Sequence, residues 1–320
     1  MTDHPPRLAH DAPPWFRQAL EVRMERASTE VGGARISYLA WGARGKRGLL
    51  FVHGGGANAH WWTHVAARFA GEFRVLAIDL SGHGDSDHRE EYSLEQWTDE
   101  VIAVAEHGGI AGQPVVVGHS MGGFVTIVSA ALHGERLAGV IVCDSPVSEP
   151  DPEITSHAAN GFGSGGRSYA TVDEAVARFR TVPPQEHYLA FVMDHVARQS
   201  LRSTPDGWVW KLDRRIFEQF AGDLRFIALP YLRQVTCRFA LLRSECGLVT
   251  SDISATMYDA LGRRAPVIEL PEAGHHAMLD QPLLLLTALR TLLADWEHSN
   301  PLGTDGIPAA IGAPSRDRAT

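Results

Sequence analysis

The feature that most constrains this chain is a β-branched run that breaks at a serine set between glycines. Residues 114–118 read Pro-Val-Val-Val-Gly, and Gly118-His119-Ser120-Met121-Gly122 leads straight into a helix-like stretch over 121–133. A strand that turns this abruptly into a helix lifts the turning side chain out of the sheet. The flanking glycines remove the Cβ atoms that would block so sharp a turn. The helix start behind Ser120 favours negative charge developing there. By length alone residues 115–132 could span a bilayer, but His119, Ser120, Thr126, Ser129 and the glycines among them fit a buried strand, turn and helix better.

Short apolar runs alternate with helical periodicity on either side of this element. Strand-like runs cover 36–41, 48–53, 74–80, 137–143, 238–243 and 266–270, and helical spacing covers the stretch from Ser93 together with 252–261 and 282–296. Apolar strands separated by helices predict an α/β fold, with a mostly parallel sheet and helices on both faces. The alternation stops between residues 146 and 235. A glycine-rich stretch at 161–166, a capping box at Thr171-Val172-Asp173-Glu174, a helix start at Pro183-Pro184, and Trp208, Trp210, Phe217 and Phe220 predict a mainly helical insertion covering the site as a cap. The expected plan is an N-terminal extension over 1–27, a core of 28–145 and 236–298, a helical cap over 146–235 and a disordered tail over 299–320.

Two further motifs carry chemistry. His53-Gly54-Gly55-Gly56 closes a strand-like run, where backbone N–H groups can point at an oxyanion. The Gly55 N–H is the expected first donor, with Gly54 the competing choice, and the Met121 N–H beside the nucleophile is the second. Gly274-His275-His276 follows the last strand-like run. An imidazole can take a serine proton near neutral pH. His275, directly after the glycine, is the candidate base, and His276 is a neighbour with a packing or solvent role.

Together with Asp79-Leu80-Ser81-Gly82-His83-Gly84-Asp85-Ser86, these motifs resemble, in kind and order, the α/β-hydrolase superfamily, in its cap-bearing, esterase-like serine hydrolase branch. The resemblance covers roughly residues 28–297. It implies an eight-stranded, mostly parallel sheet, Ser120 as nucleophile, the chain order serine, acid, histidine, and no metal or organic cofactor. It also implies a structural role for the loop holding His83 and Asp85. Most relatives carry the acid a few residues beyond the run 238–243, but that place here holds Gly247, with Glu245 the nearest carboxylate. Some members carry it at the end of the preceding strand, here Asp144 in Val142-Cys143-Asp144-Ser145-Pro146. Asp144 is the expected partner of His275, and Glu245 is the alternative.

The formal charge of −9 leaves no footprint for nucleic acid or anionic lipid. Cys143, Cys237 and Cys246 lack metal-ligand spacing, and an odd number argues against a disulfide framework. With no apolar stretch near Met1, a cytoplasmic monomer or homodimer acting on a small molecule is expected. The expected reaction is cleavage of a small or medium carboxylic ester through an acyl-enzyme. The alternatives are carbon–carbon, amide or lactone hydrolysis on the same residues, cofactor-free perhydrolase or oxygenase chemistry, and a catalytically silent ligand-binding scaffold. Gly247 at the usual acid position gives some weight to the last of these.

Overall fold

The computed structural model describes residues 12–148, 167–219 and 224–299. The stretch 161–166, Phe220 and residues 300–320 of the expected tail lie outside the described residues. The strands are β1 (Glu25–Val31), β2 (Ala34–Trp41), β3 (Arg47–Val52), β4 (Arg74–Ile78), β5 (Ala111–His119), β6 (Gly139–Cys143), β7 (Leu201–Thr204), β8 (Gly207–Trp210), β9 (Phe239–Cys246) and β10 (Val267–Gly274). The helices that matter here are α1 (Pro14–Glu21), α2 (Leu94–His107), α3 (Met121–Leu132), α4 (Val172–Val176), α5 (Ala190–Gln199), α6 (Arg215–Gln219), α7 (Leu224–Leu232), α8 (Ser251–Ala260) and α9 (Pro282–His298).

An eight-stranded sheet runs in the order β1-β2-β4-β3-β5-β6-β9-β10. Its β1–β2 and β2–β4 pairs are antiparallel, and every pair from β4 to β10 is parallel. Side chains alternate across a strand, and that alternation builds two cores. Leu49, Phe51, Val115 and Val117 face one, under α1 and α9 through Phe16, Leu285 and Leu289. Leu50, Val52 and Val116 face the other, under α2 and α3 through Trp97, Val101, Phe124 and Val125. The predicted mostly parallel sheet covered on both faces is therefore present.

The expected boundaries need correction in several places. The sheet begins at Glu25, inside the expected N-terminal extension, because β1 has no buried residue and so carries no apolar signal. Residues 14–21 of that extension form α1, which starts on Pro14 and buries Phe16 and Ala19 against the core. In the insertion, Thr171 Oγ1 accepts from the Glu174 N–H at 3.1 Å, as a capping box requires. Glu174 reaches back to the Ala170 N–H at 3.2 Å, and the helix ends at Val176. The helix expected from Pro183 starts only at Ala190. Trp208 and Trp210 lie on a β7–β8 hairpin and pack with Tyr169, Ala175 and Leu201. Among the described residues the insertion is mainly helical, with this one hairpin as the unexpected addition. No helix among the described residues is long and apolar enough to cross a membrane.

Candidate active site

The sheet's topology gathers the motif residues at the carboxyl ends of neighbouring strands. Ser120 follows β5, Asp144 follows β6, His275 follows β10, and the 53–56 loop follows β3. Ser120 has φ 53° and ψ −121°, a left-handed conformation that a β-carbon disfavours. The neighbouring glycines make the turn possible by close approach. A Cβ on Gly118 would lie 2.1 Å from Thr126 Oγ1, and one on Gly122 would lie 2.3 Å from the His53 carbonyl oxygen. The Ser120 N–H donates to the Cys143 carbonyl at 3.0 Å, which ties the turn to β6.

Ser120 Oγ lies 2.9 Å from His275 Nε2, and His275 Nδ1 lies 2.7 Å from Asp144 Oδ2. Asp144 and His275 are buried, while Ser120 is half-buried and reachable. Asp144 is itself in the left-handed region, with φ 46°. Its carboxylate accepts further hydrogen bonds from the Leu248 N–H at 2.8 Å, the Val249 N–H at 3.2 Å and the Ser244 N–H at 3.3 Å. Burial pushes its pKa up, but the His275 interaction and the Leu248 and Val249 amides outweigh that and hold it below the ordinary carboxylate range. The carboxylate therefore stays ionised against the imidazole, which fixes the tautomer with a proton on Nδ1 and a lone pair facing Ser120.

Glu245 is not part of this constellation. β9 continues through Cys246, so Glu245 still lies in the strand, exposed, and accepts from the Glu272 N–H at 2.8 Å. Gly247 leaves room for the Asp144 carboxylate. A Cβ on Gly247 would lie 2.3 Å from Asp144 Oδ2, so a side chain there and the Asp144 carboxylate would occupy the same space. Gly247→Ala is accordingly expected to displace the carboxylate and lower kcat by about 10²-fold, the effect of a misplacement of about 1 Å. Steady-state kinetics beside circular dichroism checks this; an unchanged kcat would show that the carboxylate has room to spare.

Gly55 and the buried Met121 flank Ser120, and neither amide donates a hydrogen bond to a described residue. The 53–56 loop is shaped from within. His53 Nδ1 donates to the Gly54 carbonyl at 2.8 Å, and the Leu80 N–H donates to His53 Nε2 at 3.1 Å. Gly54 abuts Ser120 and His119 with its Cα side, where a Cβ would stand 3.2 Å from Ser120 Cβ.

His119 is a residue the sequence left unexplained. Its Nε2 donates to the His275 carbonyl at 2.8 Å, so the residue before the serine anchors the loop that carries the imidazole. Its bonding partner is far away in sequence, and no local pattern announces it. His276 packs against Trp61, His119 and His275, is 4% exposed, and donates its N–H to Gln185 Oε1 at 3.0 Å. Its role is packing rather than contact with solvent. His83 is buried against His53 and Trp97, away from Ser120, and Asp85 pairs with Lys211 at 2.8 Å.

His119, His275 and His276 bring one ring nitrogen each within 4.8 Å of the others. Both nitrogens of His275 and the Nε2 of His119 are already engaged as described, so the group is an imidazole stack rather than an open ligand set. What the arrangement offers is a hydroxyl in reach of a buried imidazole–carboxylate pair, at the N-terminus of α3.

The sequence profile of the alpha/beta hydrolase family matches residues 49–288. The chain is 29% identical over 273 residues to esterase Rv0045c of Mycobacterium tuberculosis, covering 82% of this chain and 88% of that protein. It is 36% identical over 263 residues to the dihydrolipoyllysine-residue acetyltransferase component of the acetoin cleaving system of Pseudomonas putida, covering 78% of this chain and 64% of that protein. Among solved structures, E-2-(acetamidomethylene)succinate hydrolase superposes with a TM-score of 0.76 at 21% identity, covering 85% of this chain and 100% of that one, a likeness of fold.

Proposed function

The chain belongs to the alpha/beta hydrolase family and is a hydrolase, and from that premise we propose that it cleaves small or medium carboxylic esters through an acyl-enzyme on Ser120. The observation that carries this reading is the continuous hydrogen-bond chain from Ser120 through His275 to Asp144, at 2.9 and 2.7 Å. Its likeness to the M. tuberculosis esterase favours an ester over an amide or a carbon–carbon bond.

In this mechanism Ser120 Oγ attacks the ester carbonyl while His275 Nε2 takes its proton. The Gly55 and Met121 amides receive the oxyanion, and the helix start of α3 adds its partial positive charge. Collapse expels the alcohol, which leaves with the proton from Nε2. Water then attacks the acyl-enzyme by the same steps in reverse roles, releasing the acid and restoring Ser120. Asp144 stays ionised throughout, orienting the ring and stabilising the imidazolium. Asp144 supplies the carboxylate that Gly247 cannot, so an empty acid position no longer favours a silent binding scaffold.

The insertion between β6 and β9 serves as the cap in this reading. It reaches the site through Gln185 on His276 and through Phe217 beside Gly55. The test is release of p-nitrophenol from acyl esters of graded length, with a fluorophosphonate used to label the nucleophile and mass spectrometry to map the adduct. Turnover with one adduct on Ser120 is expected. Folded protein that hydrolyses none of the esters and takes up no label would overturn the assignment.

A further inference from the structure

The sequence could not distinguish cap aromatics that line a pocket from those that fill the cap's own core, and the structure separates them. Trp208 and Trp210 belong to the small cluster around Tyr169. Phe217 does not: a Cβ on Gly55 would lie 3.3 Å from Phe217 Cε1 and 3.7 Å from Met121 Sδ. The phenyl ring therefore stands directly over Gly55, in the loop that abuts Ser120 through Gly54. Phe217, Gly55 and Ser120 are all half-buried, so they border an opening rather than a sealed core.

Phe217 rides on α6, a helix of five residues that is too short to hold its own position. The chain around it is stitched to the loop after β4. The Asp213 N–H donates to the Gly82 carbonyl at 2.7 Å, and the Gly84 N–H donates to the Lys211 carbonyl at 3.0 Å. Asp213 is 7% exposed and accepts from Tyr92 Oη at 2.7 Å, the Arg215 N–H at 3.1 Å and Arg215 Nη2 at 2.6 Å. Arg215 Nη2 also donates to the Arg89 carbonyl at 2.9 Å. At the other end of the helix, Gln219 accepts from the Tyr92 N–H at 3.1 Å and donates to the Glu90 carbonyl at 3.2 Å. Between these ties Ile216 is 1% exposed in the sheet's core.

We propose that Phe217 is the wall that decides which groups fit beside the substrate carbonyl, and that Asp213 is the positioning residue that holds this wall in place. The inference rests on the esterase reading above. A phenyl ring fixed over the oxyanion loop admits short acyl groups and turns away long ones, because a chain that meets the ring cannot bring its carbonyl to the Gly55 and Met121 amides. Asp213 acts only through the helix: it joins Tyr92 of the core to Arg215 of α6 on one buried carboxylate.

The experiment compares kcat/KM for p-nitrophenyl octanoate and acetate in wild type, Phe217→Ala, Asp213→Asn and the double variant, with fluorophosphonate labelling of Ser120 in each. The octanoate-to-acetate ratio is expected to rise about tenfold or more in Phe217→Ala, since a few methylenes of pocket space are worth at least that much discrimination. It should rise by less in Asp213→Asn, and no further in the double variant than in Phe217→Ala alone. A merely structural Asp213 would instead lower both esters equally and leave the ratio at its wild-type value, which would overturn its assignment. Should Asp213→Asn fail to fold, Tyr92→Phe removes one bond of the same junction and is read by the same ratio. An unchanged ratio in an active, labelled Phe217→Ala enzyme overturns the wall alone. Folded wild type with neither turnover nor label overturns the esterase reading and this inference with it.

Discussion

Replacing Ser120 by Ala is expected to lower kcat on an ester by about 10⁶-fold, Asp144→Asn by about 10⁴-fold, and Glu245→Gln by less than about twofold. The spread follows from what each group touches. Without Oγ there is no nucleophile, and only binding and the oxyanion amides remain. Asn at 144 keeps the shape but loses the charge. It can turn its NH₂ toward His275 Nδ1, which moves the ring proton to Nε2 and leaves no lone pair for Ser120. Its single oxygen also cannot serve the Leu248 and Val249 amides as both carboxylate oxygens do. Among the described residues Glu245 bonds only to the Glu272 N–H, in an exposed position. Single-turnover and steady-state assays on all three variants measure this series, and a collapse on Glu245→Gln with activity kept in Asp144→Asn would reverse the assignment. A transplant sharpens the point. Gly247→Asp in an Asp144→Gly background is expected to recover at least about tenfold over Asp144→Gly alone, because the vacated volume is the one a side chain at 247 enters.

The second large effect is on stability: the protein is expected to unfold cooperatively between about pH 5 and 4. Burial pushes His53 and His64 down to about 4, and His119 and His195 down to about 3. Burial also lowers His60, His83 and His276. A ring whose folded value is depressed is neutral in both states at pH 7 and costs nothing there. As pH falls through about 6.5, the unfolded chain takes up protons that the folded chain refuses, and the loss grows until the folded value is reached. At pH 5 each such ring costs about 2 kcal/mol, so the four with stated values cost about 8 kcal/mol, comparable with the whole stability of a domain. Asp79 works the other way. Burial raises it to about 6, so the fold binds its proton more tightly than the unfolded chain does, returning about 1 kcal/mol at pH 5. Near-UV circular dichroism against pH measures the midpoint. His195→Phe, which removes one titrating ring packed on Phe16, should move that midpoint to lower pH. A native spectrum at pH 4 in the unaltered protein would refute the account.

The motifs and the layer order were legible because buried parallel strands are uniformly apolar and the glycines are dictated by close approach. Asp144 was legible as a carboxylate at a strand end beside the serine's strand. What escaped were features that local pattern does not encode. β1 shows no buried residue, so it has no apolar alternation to find. The β7–β8 hairpin strands have four residues each, too few for a period to emerge, and their tryptophans suggested helical bulk instead. The His119 tether joins a side chain to a backbone carbonyl of a distant strand end, and no spacing rule connects the two. The misplacement of the helix expected at Pro183 is a matter of context: the chain there first spends its polar groups on the site, through Gln185 and the His276 N–H.

The overlap between Gly247 and the Asp144 carboxylate also bears on how the acid can be moved. In this geometry the two strand ends cannot both carry a carboxylate, since the second would have nowhere to stand. Moving the acid from one strand end to the other therefore takes two changes, and an intermediate with neither carboxylate is expected to be nearly inactive. A side chain at 247 is therefore tolerated or ruinous according to what stands at 144.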